Sequence, residues 1–227
     1  MFKKIIPFFI VFLSQSAHAT LLGYNSCAGA INCLIAPDQI ALPNPIVQNP
    51  NNGLLIGWDE RQNITLTSDL KVDRVADPSA SFVGGSAGSY YIKAGTIVSS
   101  HYFQWDPVNG GSSRVTAELN FDSDIFGFIT SDANLFASDA ALGLAGLDYA
   151  DFGFRGLESG DTTNFAPNGD NSLVDISWSA SSPGDWTRLI TAYSPAAVES
   201  ANVPEPMSLS LLGLGMAIIG FSRKKAK

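Results

Sequence analysis

Apolar and polar residues alternate with a period of two in short stretches through the middle of the chain, and that period predicts strands. Residues 63–67 (Asn-Ile-Thr-Leu-Thr) and 114–121 (Arg-Val-Thr-Ala-Glu-Leu-Asn-Phe) alternate cleanly. Residues 54–58, 125–130, 172–179 and 186–193 are rich in β-branched or aromatic side chains, and residues 89–105 hold two such runs broken at Ala94-Gly95. Gly, Pro, Asn, Asp or Ser bounds each run, as expected where turns separate strands. One short helix is expected within residues 134–142. No repeat of fixed period is present. The pattern predicts an all-β fold, an antiparallel two-sheet β-sandwich of jelly-roll type, over residues 54–197. Residues 36–53, with Pro37, Pro43, Pro45 and Pro50, read as irregular chain, so that residues 20–53 form a lead-in to the sandwich.

Two apolar stretches break this pattern. At one end Lys3 and Lys4 precede the apolar residues 5–13, and Ala17-His18-Ala19 offers a small-x-small cleavage site. That is the layout of a secretory signal peptide over residues 1–19. At the other end a linker from residue 198 leads to Val203-Pro204-Glu205-Pro206, the apolar residues 207–222, and the cationic Arg223-Lys224-Lys225-Ala226-Lys227. As a helix, residues 207–222 would span roughly 24 Å at about 1.5 Å per residue. A hydrocarbon core is about 30 Å thick. The segment is short for a permanent anchor, although Arg223, Lys224 and Lys225 can snorkel to extend it. The cations belong on the cytoplasmic side, and Pro204 and Pro206 hold Glu205 extended outside the span. This arrangement resembles the PEP-CTERM sorting signal of secreted bacterial proteins, a tail also labelled an ice-binding protein C-terminal domain. The resemblance implies recognition by a membrane transpeptidase-like enzyme of the exosortase class. It further implies transient anchoring in the inner membrane, then a cell-surface or extracellular product associated with exopolysaccharide or extracellular matrix.

With both ends set aside, residues 20–203 carry seven Arg/Lys and twenty Asp/Glu, a net charge of −13. So acidic a body repels phosphate, which argues against nucleic acid and anionic membrane as partners. Cys27 and Cys33 are the two cysteines; in an oxidising compartment they are expected to pair as a local staple worth about 2 kcal/mol. No nearby His or further Cys completes a metal site with them.

Three segments are similar to a block pattern in other PEP-CTERM proteins: residues 57–66 (Gly-Trp-Asp-Glu-Arg-Gln-Asn-Ile-Thr-Leu), 92–102 (Ile-Lys-Ala-Gly-Thr-Ile-Val-Ser-Ser-His-Tyr) and 147–153 (Leu-Asp-Tyr-Ala-Asp-Phe-Gly). That resemblance implies no activity and supplies no catalytic residues.

The residues that carry chemistry are few. Gly84-Gly85-Ser86-Ala87-Gly88 has the form of a nucleophile elbow, but a strand-like run rather than a helix follows it. A flexible Gly/Ser loop is expected instead. His101 is the one His after residue 19 and is expected to be a hydrogen-bonded structural or surface residue. Asp122-Ser123-Asp124 begins like a calcium loop, but Phe126 and Ala133 stand where further ligands belong. Asp122, Asp124 and Asp170 remain candidate ligands for a structural Ca²⁺, and Asp148/Asp151 and Glu158/Asp161 form further carboxylate pairs. No metal or other cofactor is required. Glu60 and Glu118 are the carboxylates on strand-like runs that a glycoside hydrolase would need to face one another. Trp58, Trp105, Trp178 and Trp186 would serve the core, or stack on sugars if exposed at strand edges. Ice binding would want a regular Thr-rich face, which the sequence lacks. The expectation is a non-catalytic secreted protein, with a carbohydrate-active hydrolase using paired carboxylates as the alternative.

Overall fold

A computed structural model describes residues 21–108, 111–151, 153–181 and 183–195. The chain is mostly β, with antiparallel sheets that do not close on themselves. Its strands are β1 (Leu21–Ala28), β2 (Asn32–Ala36), β3 (Leu54–Asp59), β4 (Ile64–Thr65), β5 (Leu70–Val72), β6 (Arg74–Val75), β7 (Val83–Gly84), β8 (Tyr90–Ile92), β9 (Ile97–Asp106), β10 (Ser113–Phe121), β11 (Ile125–Ile129), β12 (Thr162–Phe165), β13 (Leu173–Ala180) and β14 (Asp185–Thr191). The helix α1 (Asp132–Leu142) lies between β11 and β12 and contains the expected helical segment.

One sheet runs β1-β10-β13-β12. Along β10 and β13 buried and more exposed residues alternate, so one face of this sheet meets the core and the other meets water. A second sheet runs β2-β3-β9-β14-β11-β6. Its pairings are antiparallel except for β2 with β3, which are parallel. That one pair departs from the wholly antiparallel expectation. Leu21, Val115, Leu119, Val174 and Trp178 of the first sheet share a core with Leu55, Phe103, Trp105, Phe128 and Leu189 of the second.

The second sheet is also covered on its other face. Ile56, Trp58, Tyr102, Trp186 and Ile190 pack there against Leu135 and Leu142 of α1, against Leu70, Val72 and Ile92 of the small sheet β5-β8-β7, and against Ile46. This double burial explains why every residue of β14, and every residue of β9 after Ile97, is buried. Ile46 belongs to the Pro/Asn-rich stretch, which follows no regular secondary structure yet tucks that side chain away completely.

The expected irregular lead-in over residues 20–53 is corrected in its first part, because residues 21–28 and 32–36 are β1 and β2. Leu-Leu-Gly-Tyr-Asn-Ser-Cys-Ala is poor in β-branched residues, and strand geometry there comes from pairing with β10 rather than from local preference. The Cys27–Cys33 disulfide is formed. It joins β1 of one sheet to β2 of the other, so the staple crosses between layers. No helix among the described residues is long and apolar enough to cross a membrane. The expected signal peptide, with Ala17 and Ala19, and the expected membrane span at residues 207–222 lie outside the described residues.

Candidate functional site

Most of the chemistry-bearing residues turn out to be internal. Ser86 lies in the turn joining β7 to β8, where Ser89 N–H donates to its carbonyl at 2.8 Å, so this segment is a hairpin loop and not an elbow. His101 is wholly buried. Its Nδ1 donates to Asp59 Oδ1 at 2.6 Å and its Nε2 lies 3.2 Å from Thr191 Oγ1. Acid, imidazole and hydroxyl stand in the order of a nucleophilic triad. Both the ring and Thr191 are nevertheless fully buried. The four tryptophans are buried as well, so none offers a face to a sugar. Glu118 points outward from β10, held by Asn25 Nδ2 at 2.6 Å, whereas Glu60 is buried beneath α1. Glu60 follows the end of β3 in the second sheet while Glu118 is on β10 of the first, so the two carboxylates do not face each other.

Glu60 belongs to a charge-balanced network between the second sheet and α1. Arg188 on β14 donates from Nε to Glu60 Oε2 at 2.6 Å and from Nη2 to Glu60 Oε1 at 2.8 Å. It also reaches Asp139 Oδ1 at 3.0 Å and Ser138 Oγ at 2.6 Å on the helix. Arg155 donates to both oxygens of Asp139, at 2.8 and 3.1 Å, and to the Tyr102 hydroxyl at 2.8 Å. Tyr149 donates its hydroxyl hydrogen to Glu60 and accepts from Leu144 N–H. Burial alone would lower the Arg188 guanidinium, but the Glu60 charge and hydrogen bonds hold it raised. Burial pushes the Tyr102 hydroxyl up to about 12. Two cations thus meet two carboxylates, with Tyr102 and Tyr149 rings beneath Arg188 at 5.1 and 5.4 Å. The arrangement satisfies buried charge and ties α1 to the sheet.

A second polar cluster has no such balance. Glu158, Asp161 and Asp185 form the one group of metal-ligating side chains among the described residues whose ligand atoms all lie within 4.8 Å of one another. Asp185 opens β14 and is fully buried; Asp161 is 5% exposed, and Glu158 sits at the surface. Gly184 makes the position of Asp185 attainable: a Cβ there would come within 2.4 Å of the Trp105 carbonyl oxygen and 2.7 Å of Asp106 Cβ. Asp161 is preset by two backbone donors, Ser179 N–H to Oδ1 at 2.6 Å and Glu158 N–H to Oδ2 at 2.8 Å. Arg74 reaches the Asp161 carbonyl oxygen at 3.0 Å, and no described cation forms a salt bridge with any of the three carboxylates. Neither oxygen of Asp185 receives a hydrogen bond from a described donor. Burial, the adjacent Glu158 carboxylate and the charges of Asp161 and Asp106 push the Asp185 carboxyl up to about 9. Asp106, at the end of β9, is itself buried and raised by desolvation.

The calcium candidates Asp122, Asp124 and Asp170 are corrected by this geometry, since none of them belongs to the cluster. Asp170 is exposed and closes a local turn, accepting from Ser172 N–H and Oγ at 2.9 and 2.7 Å. Asp122 accepts from Ser194 Oγ at 2.6 Å, and Asp124 is exposed. Sequence reasoning paired Glu158 with Asp161 but missed Asp185. The available signal was an acid opening a strand-like run, just after Pro183-Gly184.

Residues 202–224 match the family model of the PEP-CTERM protein-sorting motif. The chain therefore carries the signal by which an exosortase, a membrane enzyme, recognises its substrates. The motif implies export, membrane-anchored transit and delivery to the surface or the medium. The match includes Val203, Pro204, Glu205, Pro206 and Arg223, all outside the described residues. It assigns no family to the β body. No curated protein matches the chain, and no solved structure does.

Proposed function

We propose that this is a non-catalytic secreted protein whose β body is a two-sheet sandwich displayed at the cell surface or in the extracellular matrix, in association with exopolysaccharide. The sorting motif at residues 202–224 is the observation that carries the reading. Two features of the body support it. The candidate catalytic groups His101 and Glu60 are buried in structural hydrogen bonds, and Glu118 lies apart from them on β10 of the first sheet. The solvent face of the first sheet is polar: Thr116, Ser177 and Thr162 form one cross-strand row, and Ser26, Glu118, Asp175 and Asn164 form the next. Rows of hydroxyls, amides and carboxylates suit hydrogen bonding to a hydroxyl-rich polymer, without the exposed tryptophans that stacking on sugars would use.

Intact mass of the protein recovered from host membrane and medium tests the sorting step. The expected product ends near Pro204–Pro206, while Glu205→Ala, or deletion of residues 223–227, leaves uncut protein in the membrane. Normal processing of both variants would refute it. The secreted product should co-sediment with host exopolysaccharide and release no reducing sugar; sugar release would favour the hydrolase.

A further inference from the structure

We propose that Glu158, Asp161 and Asp185 form a calcium site that clamps the loop before β12 against the start of β14. Glu158 and Asp161 share the loop before β12 and Asp185 comes from the start of β14, and the ligand atoms of all three lie within 4.8 Å of one another. Ca²⁺ binds oxygen at about 2.3–2.6 Å, so its coordination shell is about 4.6–5.2 Å across. All the donors are carboxylate oxygens, which select a hard cation over zinc or copper.

The observation pointing to a ligand is Asp185 itself. Its side chain is fully buried and aimed into the group, and both its oxygens lack a described hydrogen-bond donor. Buried polar atoms are nearly always satisfied, and an ion among three carboxylates would satisfy both oxygens together. Asp161 is already oriented by Ser179 N–H and Glu158 N–H. Each of its oxygens keeps a second lone pair for a metal. Glu158 is exposed and supplies the way in. Asp106 adds a further buried negative charge close by. The neutral Arg188 network offers a cation nothing comparable, because its carboxylates are already matched by guanidinium groups.

The test uses the full chain, solubilised in detergent, stripped with EDTA and titrated with CaCl₂ by calorimetry and thermal melting. One equivalent should bind, and the melting temperature should rise by roughly 5–10 °C at a hundredfold excess over Kd. Asp185→Asn should fold but lose the Ca²⁺ response, while Asp124→Asn and Asp170→Asn keep it. Where Asp185→Asn does not fold, the surface variant Glu158→Gln decides the matter, with an expected loss of at least about tenfold in affinity. The proposal is overturned if the wild type shows neither heat nor melting shift. It is also overturned if the response survives Asp185→Asn or Glu158→Gln, or disappears with Asp124→Asn or Asp170→Asn. Sorting of the protein enters none of these readouts.

Discussion

Asp185 and Arg188 stand three residues apart on one strand and both are wholly buried, yet they face opposite layers and opposite electrostatic solutions. Arg188 points toward α1 and finds Glu60 at 2.6 and 2.8 Å, Asp139 at 3.0 Å and a serine hydroxyl at 2.6 Å. Asp185 points to the other side and meets Glu158 and Asp161, whose carboxylates disfavour its ionised form. The first site is complete from the protein's own atoms, so it behaves as architecture. The second is held together by the fold against its own charge, as a binding site is. Burial of charge therefore says little until the partners are counted.

The largest effect should come from breaking the balanced side. Arg188→Met keeps the length of the side chain but strands Glu60 without its cation in a dry layer. Removing one member of a buried pair costs about 3–5 kcal/mol, and denaturant unfolding should read a loss of that size. Adding Glu60→Leu should recover a large part of it, because two apolar residues of similar volume leave no unpaired charge. If the double variant were no more stable than Arg188→Met, the loss would lie in packing against Tyr102 and Tyr149 instead.

The unbalanced side should show its strain as a pH dependence in EDTA. In the folded protein Asp185 keeps its proton up to about 9, whereas an unfolded aspartate releases it near 4. Between those values the folded state binds more protons, so stability must fall as pH rises through this window and level off above it. The limiting slope for one proton is about 1.4 kcal/mol per pH unit. Asp185→Asn should flatten that slope and melt higher than the wild type at neutral pH. Melting curves from pH 5 to 9 check both, and an unchanged slope in the variant would assign the titration to another group.

The two regions differ equally in how far their sequences could be read. Alternation in β10 is plain because one face of its sheet meets water. In β14 every position is buried, so the stretch 186–193 signals a strand but hides that it is covered twice. β1 and β2 left almost no local trace, since pairing partners and a disulfide between layers hold them extended. The carboxylate site failed for a related reason. Neighbours in sequence such as Asp122 and Asp124 look like ligands together, but Asp122 is taken by Ser194 and Asp170 by its own turn. The real group joins residue 158 to residue 185 across β12 and β13, a convergence that only strand order produces. Glu60 and Arg188 are farther apart still, 128 positions along the chain.

The smallest effect separates neutral from charged support within the balanced network. Tyr149 contributes one hydroxyl that donates to Glu60 and accepts from Leu144 N–H at 2.8 Å. Tyr149→Phe keeps the ring beneath Arg188 and removes only that oxygen. Glu60 then still holds two guanidinium hydrogen bonds, so its charge remains compensated, while the Leu144 amide loses its acceptor. The expected cost is about 1–2 kcal/mol, well below that of Arg188→Met, with the loss concentrated in faster amide exchange around residue 144. A cost equal to that of Arg188→Met would mean that the tyrosine, rather than the arginine, holds the buried glutamate in place, and the contrast between a cation-paired site and a cation-seeking one would have to be redrawn around hydroxyl donors.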